Sequence, residues 1–307
     1  MARTGPCYPS DRLSLRMRLK RVLLPGLCGL CLIGGLFAFQ KPFRVYPSYE
    51  PADDIPLPPD YQERTEWTFG RLMYPNHPNA ILGNRGIFGY RRWGGYQPDW
   101  REGGTSWTQD YPRADRHFAL ALRRLTRIHV RSVEQPVSPD DLDDFYNWPW
   151  LNAGEMGDWK LTDAQVKTLR EYLLRGGFLM LDDFWGPEEY ERFDETMHKV
   201  FPDHPVVDIP NDNPIFHVVY DLDDRVQILG AWCTSQRNNM MCQTRAVGTT
   251  PRWFGIFDDK GRVMVAICFN NDVGDAWEWA DSPAYPEKMA GLAIRIGVNY
   301  VVYSMTH

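Results

Sequence analysis

Two stretches of this chain gather oxygen-bearing side chains closely enough to do chemistry. In FLMLDDFWG, residues 178–186, four apolar residues run without a spacer into Asp182 and Asp183, followed by Phe184 and Trp185. In FNNDVGDAWEWAD, residues 269–281, Asn271, Asp272, Asp275 and Glu278 surround Gly274, with Trp277 and Trp279 interleaved. Carboxylates in a cleft can serve as general acid and base when their surroundings push their pKa values apart. They can also bind a polyol, with an indole as the stacking face. A hard cation is a third use, because Ca²⁺ prefers oxygen ligands. The spacing does not fit an EF-hand, however: Gly274 falls one position early and no Glu closes the loop. Neither a metal nor a cofactor is expected. The plainer use of each stretch is to cap the helix that follows it.

Further candidates surround these two. In WTQDYPRADRHF, Arg113, Arg116 and His117 fall in the first turns of a helix. Cations there oppose the helix dipole, so Arg116 is expected to have an acidic partner, with Asp182, Asp183 and the 272–278 carboxylates as choices. His217, in NPIFHVVYDL, precedes an apolar run and is either a ligand-binding or a packed polar residue. Trp185 and Trp277 are expected on the walls of the cleft. The chain has no GxGxxG or Walker loop, no GxSxG elbow and no HExxH helix.

These side chains need a scaffold that brings them together. An apolar run as short as FLML reads as a buried strand. Two adjacent carboxylates continuing it would point to opposite faces and not form a close pair. LTDAQVKTLREYLLRGG predicts a helix capped by Thr162, and GPEEYERFDETMHKVF a helix over 186–201 with Pro187 and two Glu in its first turn. DYPRADRHFALALRRLT predicts a helix with Asp110 as N-cap. Strands are expected over 65–74, 128–133 and 145–151, a hairpin over 253–269 turning at DDKG, and a long final helix. Helices alternating with short apolar strands mean α/β with a mostly parallel sheet. In such a sheet, strands followed by helices end on one rim, where ligands bind. Asp183, Asp272 and Glu278 are therefore expected to converge, although nearly 90 residues separate the two stretches.

The chain divides into a leader, a linker and a body. Residues 1–39 carry a basic segment followed by 18 uncharged residues, 22–39. That is the pattern of an export signal or a single membrane anchor with its basic end inside. Residues 40–65 hold six prolines and read as an extended linker. Residues 66–307 then form one domain. The leader holds six Lys/Arg and one acidic residue, so the whole chain's −6 leaves −11 on the remainder. An acidic body argues against nucleic acid as a partner. Three cysteines belong to the body, Cys233, Cys242 and Cys268, with no CxxC pair. Zinc of the usual spacing is thus excluded, while Cys233 and Cys242 could pair in an oxidising compartment.

Taken together, W-T-x-D-Y-P-x-A-D-R, L-R-x-Y-L-L-R-G-G-F-L-x-x-D-D-F, N-P-I-F-H, N-D-x-G-D-x-W-E and the closing N-Y-V-V-Y-S-M-T-H resemble the bacterial domain family DUF4159 over about residues 67–307. The resemblance implies a flavodoxin-like three-layer sandwich similar to class I glutamine amidotransferases and ThuA-like proteins. It implies no catalytic residues, because none are established for the family. The family usually has His where this chain has Asn213. In the amidotransferases a cysteine nucleophile occupies the turn that corresponds here to DDFW, so glutaminase chemistry is not expected. The expectation is an exported, envelope-located domain, anchored in the inner membrane through residues 22–39 and lying in the periplasm, or secreted if the leader is cleaved. It would bind a small polar, sugar-like ligand or an envelope protein without turnover. The alternative is a carboxylate-dependent hydrolase or lyase acting on carbohydrate.

Overall fold

A computed structural model describes residues 43–50, 56–78, 80, 99–234 and 249–307, all within a unit spanning Phe43–His307. The leader, the 235–248 loop with Cys242, and most of the Gly/Trp/Tyr-rich stretch at 81–98 lie outside the described residues, and so do the expectations placed on them. No helix among the described residues is long and apolar enough to cross a membrane.

The strands are β1 (Gly70–Leu72), β2 (Gln135–Val137), β3 (Trp150–Ala153), β4 (Phe178–Leu181), β5 (Val207–Asp208), β6 (Arg252–Phe257) and β7 (Val263–Phe269). They form a mostly parallel sheet in the order β2-β1-β3-β4-β7-β6-β5. The first five strands of that order run parallel, and the β6–β7 hairpin and the β5–β6 pair are antiparallel. FLML is β4 and lies in the middle of the sheet, fully buried. The helices are α1 (Arg113–Leu125), α2 (Leu142–Phe145), α3 (Asp163–Leu174), α4 (Gly186–Val200), α5 (Ala231–Thr234), α6 (Val273–Glu278) and α7 (Glu287–Thr306).

Alternation along β4 explains how both faces of the sheet are covered. Phe178 and Met180 pack with α1, α6 and α7, around Phe118, Trp277, Ile296 and Tyr300. Leu179 and Leu181 pack with α3 and α4, around Leu169, Leu173, Phe193 and Met197. The α3 start follows its sequence closely: Thr162 and Gln165 bond each other's backbone N–H in a capping box.

Three expectations are corrected. The strand expected at 128–133 reduces to one bridge, Trp67 to Val130, and β2 lies further on at Gln135–Val137. Pro136 is tolerated there because β2 is an edge strand. The strand expected at 145–151 is instead the end of α2 followed by β3, which starts only after Pro149. Asp110 does not cap α1. It takes a left-handed φ of 58°, and the helix begins at Arg113 after Pro112. The described part of residues 40–65 makes contacts of its own. Its extended backbone docks on the 105–111 loop through Tyr49 N–H to Thr108 O (3.2 Å), Ser48 Oγ to Thr108 O (3.3 Å) and Tyr46 N–H to Tyr111 Oη (3.2 Å). Prolines remove donors, but the residues between them keep theirs.

Candidate functional site

The carboxyl ends of β4 and β7 place both acidic stretches on one rim. Asp182 follows β4 directly, and its Oδ2 accepts the backbone N–H groups of Val273 (2.8 Å) and Gly274 (2.7 Å), at the start of α6. It therefore caps the helix of the neighbouring stretch. Neither aspartate caps α4, as the plainer reading had it. Gly186 N–H donates to Asn270 Oδ1 (2.9 Å), and Trp185 N–H to Glu189 Oε2 (2.8 Å). Asp183 takes a left-handed φ of 51° and accepts Trp185 Nε1–H at 2.8 Å. The charge of Asp183 adds to the raised proton affinity of Asp182.

Around them stand Asp110, Asp272, Asp275, Glu278 and Glu50. Asp272 caps α6 through Asp275 N–H (2.9 Å). Asp275 accepts Ala231 N–H (2.7 Å) and Trp279 Nε1–H (3.1 Å), and hydrogen-bonds the Glu278 carboxyl. Glu50 accepts Gln109 Nε2–H at 2.7 Å. One oxygen each from Glu50, Asp110 and Glu278 lies within 4.8 Å of the others, and the same holds for Asp110, Asp272 and Asp275. Two glycines make room for this crowding. A Cβ on Gly274 would run into Asp110 Oδ2, and one on Gly230 would stand 2.5 and 2.9 Å from Asp272 Oδ2 and Asp275 Oδ2.

Burial and mutual repulsion raise the proton affinity of the group. Burial pushes Asp182 up to about 7, with Asp183 adding to it. Burial and the Asp275 charge take Glu50 to about 7, and burial and Glu50 take Glu278 to about 9. Asp110, Asp272 and Asp275 are raised as well, each first by burial. The nearest buried guanidinium is committed elsewhere. Arg71 forms a two-pronged pair with Asp115, Nε to Oδ2 at 2.8 Å and Nη2 to Oδ1, and donates Nη1 to the carbonyls of Trp107 and Gln109. Arg113 pairs with Asp281 (2.9 Å) and lies over the Trp279 ring.

Other sequence candidates fall elsewhere. The acidic partner of Arg116 is Glu134, held through both Nε and Nη2, and not a carboxylate of the rim. Trp277 is not on a wall; it stacks on Phe118 at 4.4 Å inside the core. Asn271 is buried and bridges backbone, from Ile228 N–H to Phe269 O. His217 bonds Asp221 and Asn211 O within its own loop. Trp185 is buried against Leu229 and Cys233. Cys233 is disulfide-bonded, and Cys242, expected as its partner, is outside the described residues. Cys268 is free and buried.

Sequence reasoning missed Glu50, Asp110 as a rim carboxylate, Gln109, Trp232 and Tyr285. Trp279, Trp232 and Tyr285 line a cavity of about 250 Å³ whose wall includes Glu50. Tyr285 Oη closes one side by donating to Leu229 O at 2.7 Å.

The profile of a domain of unknown function, DUF4159, matches residues 99–305, more than half of the chain. The chain belongs to the DUF4159 family. The matched part contains the DUF4159 rim carboxylates except Glu50, which the preceding segment supplies. No curated protein matches the chain.

Proposed function

We propose that the DUF4159 domain of this protein binds a small polar, sugar-like ligand in the cavity beside the rim. The observation that carries this is the cavity's make-up: the aromatic side chains of Trp232, Trp279 and Tyr285 meet the carboxyl of Glu50 in one wall. An apolar face with a few convergent polar groups is the general form of a ligand site. Its volume of about 250 Å³ suits one ring better than a chain of them. Two larger clefts of about 500 Å³ border α7, but no rim carboxylate lines either. A flavodoxin-like three-layer sandwich of the class I glutamine amidotransferase kind belongs to the same reading. It is supported by the parallel order β2-β1-β3-β4-β7, which corresponds to 2-1-3-4-5 when β7 is taken as the fifth parallel strand.

Export to the cell envelope, by anchor or by cleaved signal, completes the reading, with an envelope protein as the other class of partner. Its supports are the basic-then-apolar leader and the disulfide at Cys233, since disulfides persist in oxidising compartments.

The carbohydrate hydrolase or lyase is the second reading, favoured by one observation. Glu278, raised to about 9, holds its proton at neutral pH, as a general acid must. A thermal-shift and calorimetric screen of the full chain against mono- and disaccharides separates the readings. Binding without consumption of the sugar, lost in Trp279→Ala, supports the binder. Product release that Glu278→Gln abolishes supports the enzyme. If no sugar shifts the melting temperature or is cleaved, both fall.

A further inference from the structure

The rim gathers more carboxyl groups than the nearby cations pair with. Glu50, Asp110, Asp182, Asp183, Asp272, Asp275 and Glu278 crowd one end of the sheet, while the nearby guanidinium groups of Arg71 and Arg113 are paired with Asp115 and Asp281. One acceptor oxygen beside this crowd lacks a donor among the described residues. Gln109, 9% exposed, spends its amide nitrogen on Glu50, and its Oε1 is buried and unpartnered. A buried acceptor left without a donor costs about 1–3 kcal/mol, so native structures keep such atoms where something external meets them.

We propose that this rim is a binding site for a hard divalent cation, with Asp110 as the shared ligand between a Glu50–Glu278 side and an Asp272–Asp275 side. Geometry supports the shared role, because Asp110 is the one residue common to both triads of oxygens within 4.8 Å. Its left-handed backbone and the bare Cα of Gly274 bring its carboxylate there. The donor set fixes the class of ion. Every candidate ligand is oxygen, and neither triad includes a His or Cys. Carboxylate oxygens suit Ca²⁺, Mg²⁺ and Mn²⁺, whereas Zn²⁺ and Cu²⁺ favour nitrogen and sulfur. The site does not depend on the sugar-like ligand proposed above, although Glu50 would touch both.

The test uses the full chain and the metals alone. Calorimetry with Ca²⁺, Mg²⁺ and Mn²⁺ is run on the protein after EDTA treatment, beside Asp110→Asn and Glu278→Gln. Wild type should bind at least one of the three and melt higher with it than in EDTA, since a ligand that prefers the folded state stabilises it. Loss of a contact that merely supports a ligand costs about 10–100-fold in affinity. Loss of the shared ligand in Asp110→Asn should therefore cost at least that. Both variants keep the shape of the side chain they replace and stay neutral without a proton, so in EDTA at neutral pH they should melt close to wild type, which separates a lost site from a lost fold. Failure of all three metals to bind wild type would overturn the proposal. So would Asp110→Asn binding as tightly as wild type.

Discussion

Asp182 makes the rim's energetics measurable. Its carboxyl is buried under β4 and α6, and its pKa rises from 3.8 to about 7. Each unit corresponds to about 1.36 kcal/mol between protonation states, so roughly three units amount to about 4 kcal/mol. The sign follows from proton counting. Between pH 3.8 and about 7 the folded protein holds a proton that the unfolded chain has released, so raising the pH through that window lowers stability. The contribution is fully present below the unfolded pKa and gone above the folded one. Asp182→Asn keeps an oxygen to accept the Val273 and Gly274 N–H groups but cannot titrate. Urea unfolding in EDTA at pH 4.5, 6 and 8 would follow both proteins. Wild type should lose up to about 3 kcal/mol more than the variant across that range, since part of the full difference is already lost at pH 4.5, with the variant the more stable at pH 8. The figure is a ceiling, because neighbouring carboxylates readjust when one is removed. Parallel stability curves for the two proteins would refute the assignment of a raised proton affinity to Asp182.

Other outcomes are expected. Glu278→Gln should flatten any further loss of stability between pH 7 and 9, because Glu278 titrates near 9 in the folded state; the same unfolding series reads it. Gly274→Ala drives a methyl toward Asp110 Oδ2 and should cost about 1–3 kcal/mol by overpacking, measured by urea midpoint, while weakening metal binding in calorimetry. Arg116→Ala strands the fully buried Glu134 and should cost roughly 3–5 kcal/mol, yet leave metal affinity within about twofold of wild type because distant sites act independently.

Much of the scaffold was legible in the chain because its signals are local. The β4–α4 unit, the Thr162 box and the DDKG hairpin each follow from residues within one element. The convergence of 182–183 with 272–278 follows from one rule about parallel sheets. Residues that resisted reading depend on distant contacts or on a choice between equivalent options. Glu50 lies in a proline-rich stretch with no periodicity, and only its contact with Gln109 brings it to the rim. Asp110, two residues before a proline, carries the usual N-cap signal, and nothing local reveals its left-handed turn. Trp277 and Trp279 sit two residues apart in a helical region, about 200° around the axis, so one must face inward and the other out. The sequence names the pair without saying which, and Trp277 is the one in the core.

The place of β1 has a practical result for anyone cutting the protein. This three-residue strand lies between β2 and β3 and bonds both, yet it precedes α1 in the chain by some forty residues. A fragment beginning at residue 99 would lack it. The sheet would then split, with β2 orphaned and β3 showing a bare backbone ladder, the kind of edge that recruits other chains into aggregates. Arg71 would leave with it, stranding Asp115 as an unpaired buried charge. The autonomous folding unit therefore starts before Gly70, and a version meant to retain Glu50 must start no later than Phe43, where the docked segment begins.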